Sequence, residues 1–255
     1  MSESKYTLSA LGLFVADKRA KSTRFSCSGV ILRIGPSDLT NDTIATIAIF
    51  NSTNRKTGDM VQIYYLPTNE PPTEAVKTGA DASVCGDCKL RPLLAKEQNI
   101  KPCYVKKFHG PSAVYRSFKA GRYPHLDRMK PRLLQGVLQL LATKPVRLGA
   151  WGDPASDLET STFLASLAPQ ITAYTHQWQT TPQLKPFTMA SVDTPEDYVI
   201  AKDRGWRTYR HTSDSTAFQN EIVCPHKTHN VQCIDCGLCS GTASNSTRDI
   251  VTKTL

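Results

Sequence analysis

No apolar run in this 255-residue chain approaches the length that crosses a bilayer. Its first residues, MSESKYTLSALGLFVADKRAKS, lack the basic start and long apolar stretch of a secretory signal. Internal repeats and low-complexity tracts are missing. So is a recognisable helix-turn-helix, and sequence-specific base reading is therefore not expected. Acidic residues are scarce in one segment above all. Lys101 to Arg132 holds nine Lys/Arg and a single acid, Asp127, nearly the whole of the net +9. These absences describe a protein expected in a reducing cytoplasm, where clustered cysteines serve as metal ligands rather than disulfides.

The chain is long enough for one large domain or two small ones, and a hydrophobic fraction of 40% suffices for a packed core. Seven of its eight cysteines fall into two sets. The proximal set is Cys85-x2-Cys88-x14-Cys103. The distal set is Cys224-x8-Cys233-x2-Cys236-x2-Cys239. Thiolates two residues apart reach one metal ion from a single turn, so both spacings are ligand signatures. Four distal thiolates complete either a zinc site or an iron–sulfur cube, with His226 and His229 as substitute ligands or neighbours. Three proximal thiolates leave one position for water, substrate or cofactor, unless Cys27 or His109 fills it.

Within the basic segment, Tyr104, Phe108, Tyr115, Phe118 and Tyr123 are interleaved with the cations. Cations neutralise phosphates and aromatics stack on bases, so Lys106, Lys107, Arg116, Lys119, Arg122 and Arg128 form a candidate nucleic-acid surface. The competing reading is a solvated basic face whose aromatics belong to the core.

Along the chain, residues 7–17 suit a short helix. Strands are expected at Arg24–Ile34, Thr43–Phe50 and Met60–Leu66, the last two as a hairpin, followed by a proline-rich loop at 66–74. After the cysteine loop and the basic segment, Pro131 opens a helix with Leu133, Leu134, Val137, Leu138 and Leu141 on one face. Val146–Trp151 reads as a strand. Asp157 or Ser156 caps a further helix carrying Leu158 and Leu164. Ile171–Tyr174 and Phe187–Ala190 read as strands, 195–204 as a helix, and Trp206–Arg210 and Asn220–Val223 as the last strands. Such alternation predicts an α/β fold, a partial (β/α) barrel or parallel-sheet layer, with a β-rich segment at 1–80, a barrel-like domain at 81–223 and a cysteine motif and tail at 224–255. Reactive groups in such folds gather beyond the C-terminal strand ends. Asp153, His176, Gln177, Ser191, Asp193 and His211 each follow a strand.

The ordered pieces CGDC (85–88), CYV (103–105), RLGAWGDP (147–154), YTHQW (174–178), MASVD (189–193), GWRTYR (205–210) and CPHKTHNVQCIDCGLC (224–239) resemble a family of tailed-phage proteins, related to those called gene-product-88-like. That family in turn is similar to the radical S-adenosylmethionine (SAM) enzymes. The resemblance implies a partial barrel with a cysteine loop after its first strand and a Gly-rich acidic motif, here Gly152-Asp153, ending its second. It implies a cluster on Cys85, Cys88 and Cys103, SAM held at Gly152 and Asp153, His176 and Asp193 as proton donor or positioner toward substrate, and an auxiliary distal cluster. The third cysteine departs from the family pattern by its fourteen intervening residues. The alternative, raised by the concentration of charge in the basic segment, is a non-catalytic accessory factor in phage DNA replication or recombination, such as an integrase directionality factor. It would meet DNA or a DNA-bound protein in the host cytoplasm.

Overall fold

A computed structural model describes residues 27–212 and 217–253. The helix expected at 7–17 and the first part of the strand expected from Arg24 lie outside the described residues.

Two five-stranded sheets make up the framework. The first has the order β1 (Gly29–Pro36), β2 (Thr43–Ile49), β3 (Val61–Pro67), β4 (Val146–Trp151), β5 (Ile171–Thr172). The second has the order β6 (Tyr174–Thr175), β7 (Met189–Val192), β8 (Thr208–Thr212), β10 (Asp249–Lys253), β9 (Glu221–Val223). β1, β2 and β3 are antiparallel neighbours, and every later pairing is parallel. β5 and β6 are one expected strand broken at Ala173. Its carbonyl still accepts from Met189 of β7, but its N–H donates to the Cys239 carbonyl at 3.0 Å. The distal cysteine loop therefore interrupts the sheet where it docks.

The α/β expectation with parallel-sheet layers is met. No strand pairing among the described residues closes the sheets into a barrel. β3 pairs with β4, and β10 inserts between β8 and β9, so hydrogen bonding crosses both expected domain boundaries.

The β-branched runs of β1 to β3 are buried on both faces, as in strands covered by helices. Helix Pro131–Thr143 covers one side through Leu134, Val137, Leu138 and Leu141, all fully buried, whereas Leu133, expected on the same face, is exposed. Helix Leu158–Leu167 is capped by Asp157, whose side chain accepts from Thr160 N. Helix Pro195–Asp203 is capped in the same way by Thr194. The proline-rich loop expected at 66–74 is irregular only over 68–71; Pro72 then opens a helix that runs to Thr78, with Gly79 closing it in the left-handed conformation. The final strand, β10, was not expected. Asp249, fully buried, anchors it by accepting from Thr208 N and Asn220 Nδ2 and pairing with Lys202. Among the described residues no helix is long and apolar enough to cross a membrane.

Candidate metal centres and ligand cavity

Side chains alternate across a strand, so every second residue faces the same way. On one face, Arg147, Gly149 and Trp151 of β4, Tyr174 of β6 with His176 beyond it, Ser191 of β7 with Asp193 beyond it, and Tyr209 and His211 of β8 all line a single cavity of about 120 Å³. Cys85, Cys88 and Cys103 line it too, with Gly152 and Asp153. The structure thus brings together all of the expected proximal and catalytic residues, beyond the C-terminal ends of β4, β6 and β7.

Local chemistry explains how the cysteine loop reaches this place. The helical turn Ala82–Cys85 ends at Gly86, whose φ is 57°. A Cβ there would lie 2.8 Å from the Gln177 side chain, which donates to the Cys85 carbonyl at 3.0 Å. Arg91 staples the loop. Its guanidinium bonds Asp81 Oδ1 at 2.8 Å and the carbonyls of Gly79 and Gly86 at 2.9 Å. Cys103 N–H then donates to the Leu90 carbonyl at 2.8 Å. The fourteen residues between Cys88 and Cys103 are a detour, including the helix Pro92–Glu97, that leaves and rejoins the loop. Sequence reading missed Arg91, Asp81 and this closure; an arginine beside a cysteine turn carries no distinctive signal.

Gly152 has a φ of 82°, and a Cβ would lie 2.7 Å from Tyr65 Cβ. Its bareness lets Asp153 N–H reach the Val84 carbonyl, joining β4 to the cysteine loop. The Asp153 carboxylate accepts from Ala155 N at 2.9 Å, Thr175 Oγ1 at 2.8 Å and His176 N at 2.8 Å. Burial raises its pKa against the pull of these bonds. Asp153 is thus already committed to holding the His176 backbone in place.

His176 Nε2 lies 3.5 Å from Asp193 Oδ1, without an ordinary hydrogen-bond partner among the described residues. Burial works to lower its pKa, but Asp193 and Cys88 beside the ring outweigh burial and hold it well above the usual histidine value. The Cys85 thiol is pushed well up, by burial first and then by Cys88, Asp81, Cys103 and Asp153. Cys103, the most accessible of the three, is also raised, by crowding around its sulfur and by Cys88 and Asp193, against the Val105 N–H and His176. Thiols held protonated by burial and by one another ionise together only beside a compensating cation.

The distal cysteines Cys224, Cys233, Cys236 and Cys239 converge on a second, much tighter cavity of about 10 Å³, with Lys56, Thr172, Tyr174 and His226. Its loop docks on the turn between β2 and β3. Cys233 N–H donates to the Lys56 carbonyl, Ile234 N–H to Thr57, and Gln170 Nε2 to the Cys233 carbonyl. Cys239 is pushed up to about 12 by burial, Cys224 and Cys233, against the Tyr174 hydroxyl. Cys233 is raised by burial, with Lys56 and Arg147 opposing. Arg207 locks the segment that follows, bonding the carbonyls of Leu238, Ser240 and Arg248. Tyr174 lines both cavities and so stands between the two cysteine sets. Among the described residues no group of three or more His, Cys, Asp or Glu is drawn up ready to hold a metal ion. Cys27 and His109 line neither cavity.

In the basic segment, Tyr115 and Tyr123 are buried in the core, and only Tyr104 and Phe108, 47% and 69% exposed, stand free of it. Lys106, Arg116, Lys119, Arg122 and Arg128 are exposed. Lys107 lines the larger cavity, and Tyr104 stacks on His211 at 4.8 Å beside it. Lys119 also reaches the Thr68 carbonyl at 3.4 Å. Compared with known proteins, the chain matches no protein-family model, no curated protein and no solved structure.

Proposed function

We propose that the chain is a cysteine-ligated metal protein with two centres of iron–sulfur or zinc type. The distal one is structural, and the proximal one opens into a ligand cavity. One observation carries this reading: Cys85, Cys88, Cys103 and His176, widely separated in sequence, line one cavity at the C-terminal strand ends. The donor chemistry fits a metal. Burial and neighbouring sulfurs hold the Cys85 and Cys103 thiols protonated until a cation compensates them, and a buried imidazole nitrogen beside them lacks an ordinary hydrogen-bond partner. Cys85, Cys88 and Cys103 would hold the metal, with His176 or a ligand in the fourth position.

Such a centre supplies an electron if iron–sulfur, or a Lewis acid if zinc. The surrounding side chains then have defined tasks. Where a ligand takes the fourth position, His176 would instead hold a proton at Nε2, poised against Asp193. Asp153 fixes the His176 backbone, and Gln177 holds the cysteine turn. Tyr104 and His211 form an aromatic wall. SAM as the proximal ligand belongs to this proposal. Asp153 would support such a site by positioning, since its oxygens already accept three hydrogen bonds. Anaerobic protein incubated with dithionite and SAM tests this part. Release of 5′-deoxyadenosine supports the enzyme reading; a loaded centre that leaves SAM intact overturns it.

A second reading, an accessory factor of phage DNA metabolism, is favoured by the exposed cations Lys106, Arg116, Lys119, Arg122 and Arg128 beside exposed Tyr104 and Phe108. It calls for weak, sequence-tolerant DNA binding that falls steeply with salt.

A further inference from the structure

Arg147 stands in the larger cavity without a carboxylate of its own, because those that line it are engaged elsewhere: Asp81 by Arg91, Asp193 beside His176, and Asp153 by three hydrogen bonds. It lies on the cavity face of β4, and its Nε is buried without a hydrogen-bond partner among the described residues. No ion pair to it occurs there either, whereas the buried cations Arg91 and Arg210 face Asp81 and Glu221 at 2.8 and 2.7 Å. The side chain is half-buried and its Nε is dry and unpaired, so an unmatched guanidinium facing the cavity favours an anion from outside the chain. The distal thiolates are served by another cation. Lys56 lines their cavity and influences Cys233 more strongly than Arg147 does, and Arg147 does not line that cavity.

The walls around Arg147 are aromatic. Tyr174 and Tyr209 lie 4.1 Å apart between ring centres, Tyr104 stacks on His211, and Trp151 closes one side. Lys107 adds a further cation to the lining beside Arg147 and the Asp81-paired Arg91. Cavities of about 150 Å³ admit a benzene ring, and this cavity, at about 120 Å³, is of similar size, with polar groups added to its aromatic walls. We propose that it binds a small organic oxyanion, a ring-sized apolar body bearing a carboxylate or phosphate, with the anionic group on the Arg147 guanidinium. This deepens the proposed ligand cavity and rests on it, but it does not require the metal.

The test is a ligand-observed NMR titration of the purified full chain with benzoate, phenyl phosphate and the neutral benzyl alcohol. Both anions should bind at least roughly tenfold more tightly than benzyl alcohol, because a charged hydrogen bond to guanidinium separates them. A preference for benzoate alone assigns a carboxylate ligand, and for phenyl phosphate alone a phosphate ligand; either supports the proposal. Arg147→Met should abolish the anion preference while leaving the thermal midpoint unchanged or higher, since an unmatched charge has gone. Arg147→Lys should keep a weakened preference. The proposal is overturned if wild type binds the anions no better than the alcohol, or if Arg147→Met retains the preference. It is overturned too if Arg147→Met and Arg147→Lys both unfold or lose distal metal, which would make Arg147 a structural counter-charge. Metal content measured on each sample separates the two ideas. Anion binding without metal overturns only the metal reading, and metal without anion binding overturns only this one.

Discussion

The two cysteine sets share one residue chemistry and differ in almost everything around it. The distal four surround a cavity of about 10 Å³, inside a loop pinned by Arg207 and by backbone bonds to the β2–β3 turn. The proximal three share a cavity of about 120 Å³ with His176, Asp193 and Arg147. Four donors and no room suit a structural centre; three donors and a lined cavity suit a centre that meets a ligand. Ligand count and surrounding space, rather than the Cys-x2-Cys spacing common to both, are what separate the two proposed duties.

The comparison breaks most sharply at the distal set. Cys236→Ser should lose one metal site and lower the thermal midpoint severely or make the chain insoluble, because metal binding to such sites contributes directly to folding, on the order of 10 kcal/mol in small zinc domains. Metal analysis with thermal unfolding checks this, and an unchanged metal content would contradict the assignment. Arg91→Ala comes next. It leaves Asp81 buried without its cation, at a cost of about 3–5 kcal/mol by analogy with other buried pairs, and frees the loop that presents Cys85 and Cys88. Proximal metal should fall while distal metal stays. Gly152→Ala forces a Cβ against Tyr65 at a φ of 82°, so about 1–3 kcal/mol of destabilisation is expected from denaturant unfolding. Cys88→Ser sharpens the contrast, since it should empty the proximal centre with a much smaller loss of stability than Cys236→Ser.

Much of this arrangement was legible beforehand. Val146–Trp151 was read with its observed bounds, because its ends are set by Pro145 and by Gly152. Pro131–Thr143 was legible from its one apolar face. The placement of Asp153, His176 and Asp193 at strand ends followed from βα alternation, and all three do line one cavity. What stayed hidden was long-range. The break at Ala173 comes from the Cys239 carbonyl, 66 residues away in sequence. β10 is a five-residue strand after a polar stretch, held by Asp249 contacts that no local pattern announces. The proline-rich loop expected at 66–74 runs into a helix that Pro72 opens, and no apolar period singled out the helices Pro92–Glu97 and Gly110–Lys119. The aromatic interleaving of the basic segment mixed two populations, core Tyr115 and Tyr123 with exposed Tyr104 and Phe108.

The smallest effect concerns that basic face. Arg116→Gln with Lys119→Gln should change stability by less than about 0.5 kcal/mol. If these side chains contact phosphates, the salt slope of DNA binding should flatten by about two units, more than for Lys77→Gln with Lys96→Gln, which removes equal charge elsewhere. Equal losses in both pairs would reduce the segment to a solvated basic face.

The central claim, two metal centres with separate duties, is tested most directly by the metal and acid-labile sulfide content and absorption spectrum of anaerobically purified protein. Two loaded sites per chain are expected, either brown with absorption near ~400 nm from iron–sulfur or colourless with stoichiometric zinc. Protein that folds cooperatively with no bound metal at either cysteine set would contradict it.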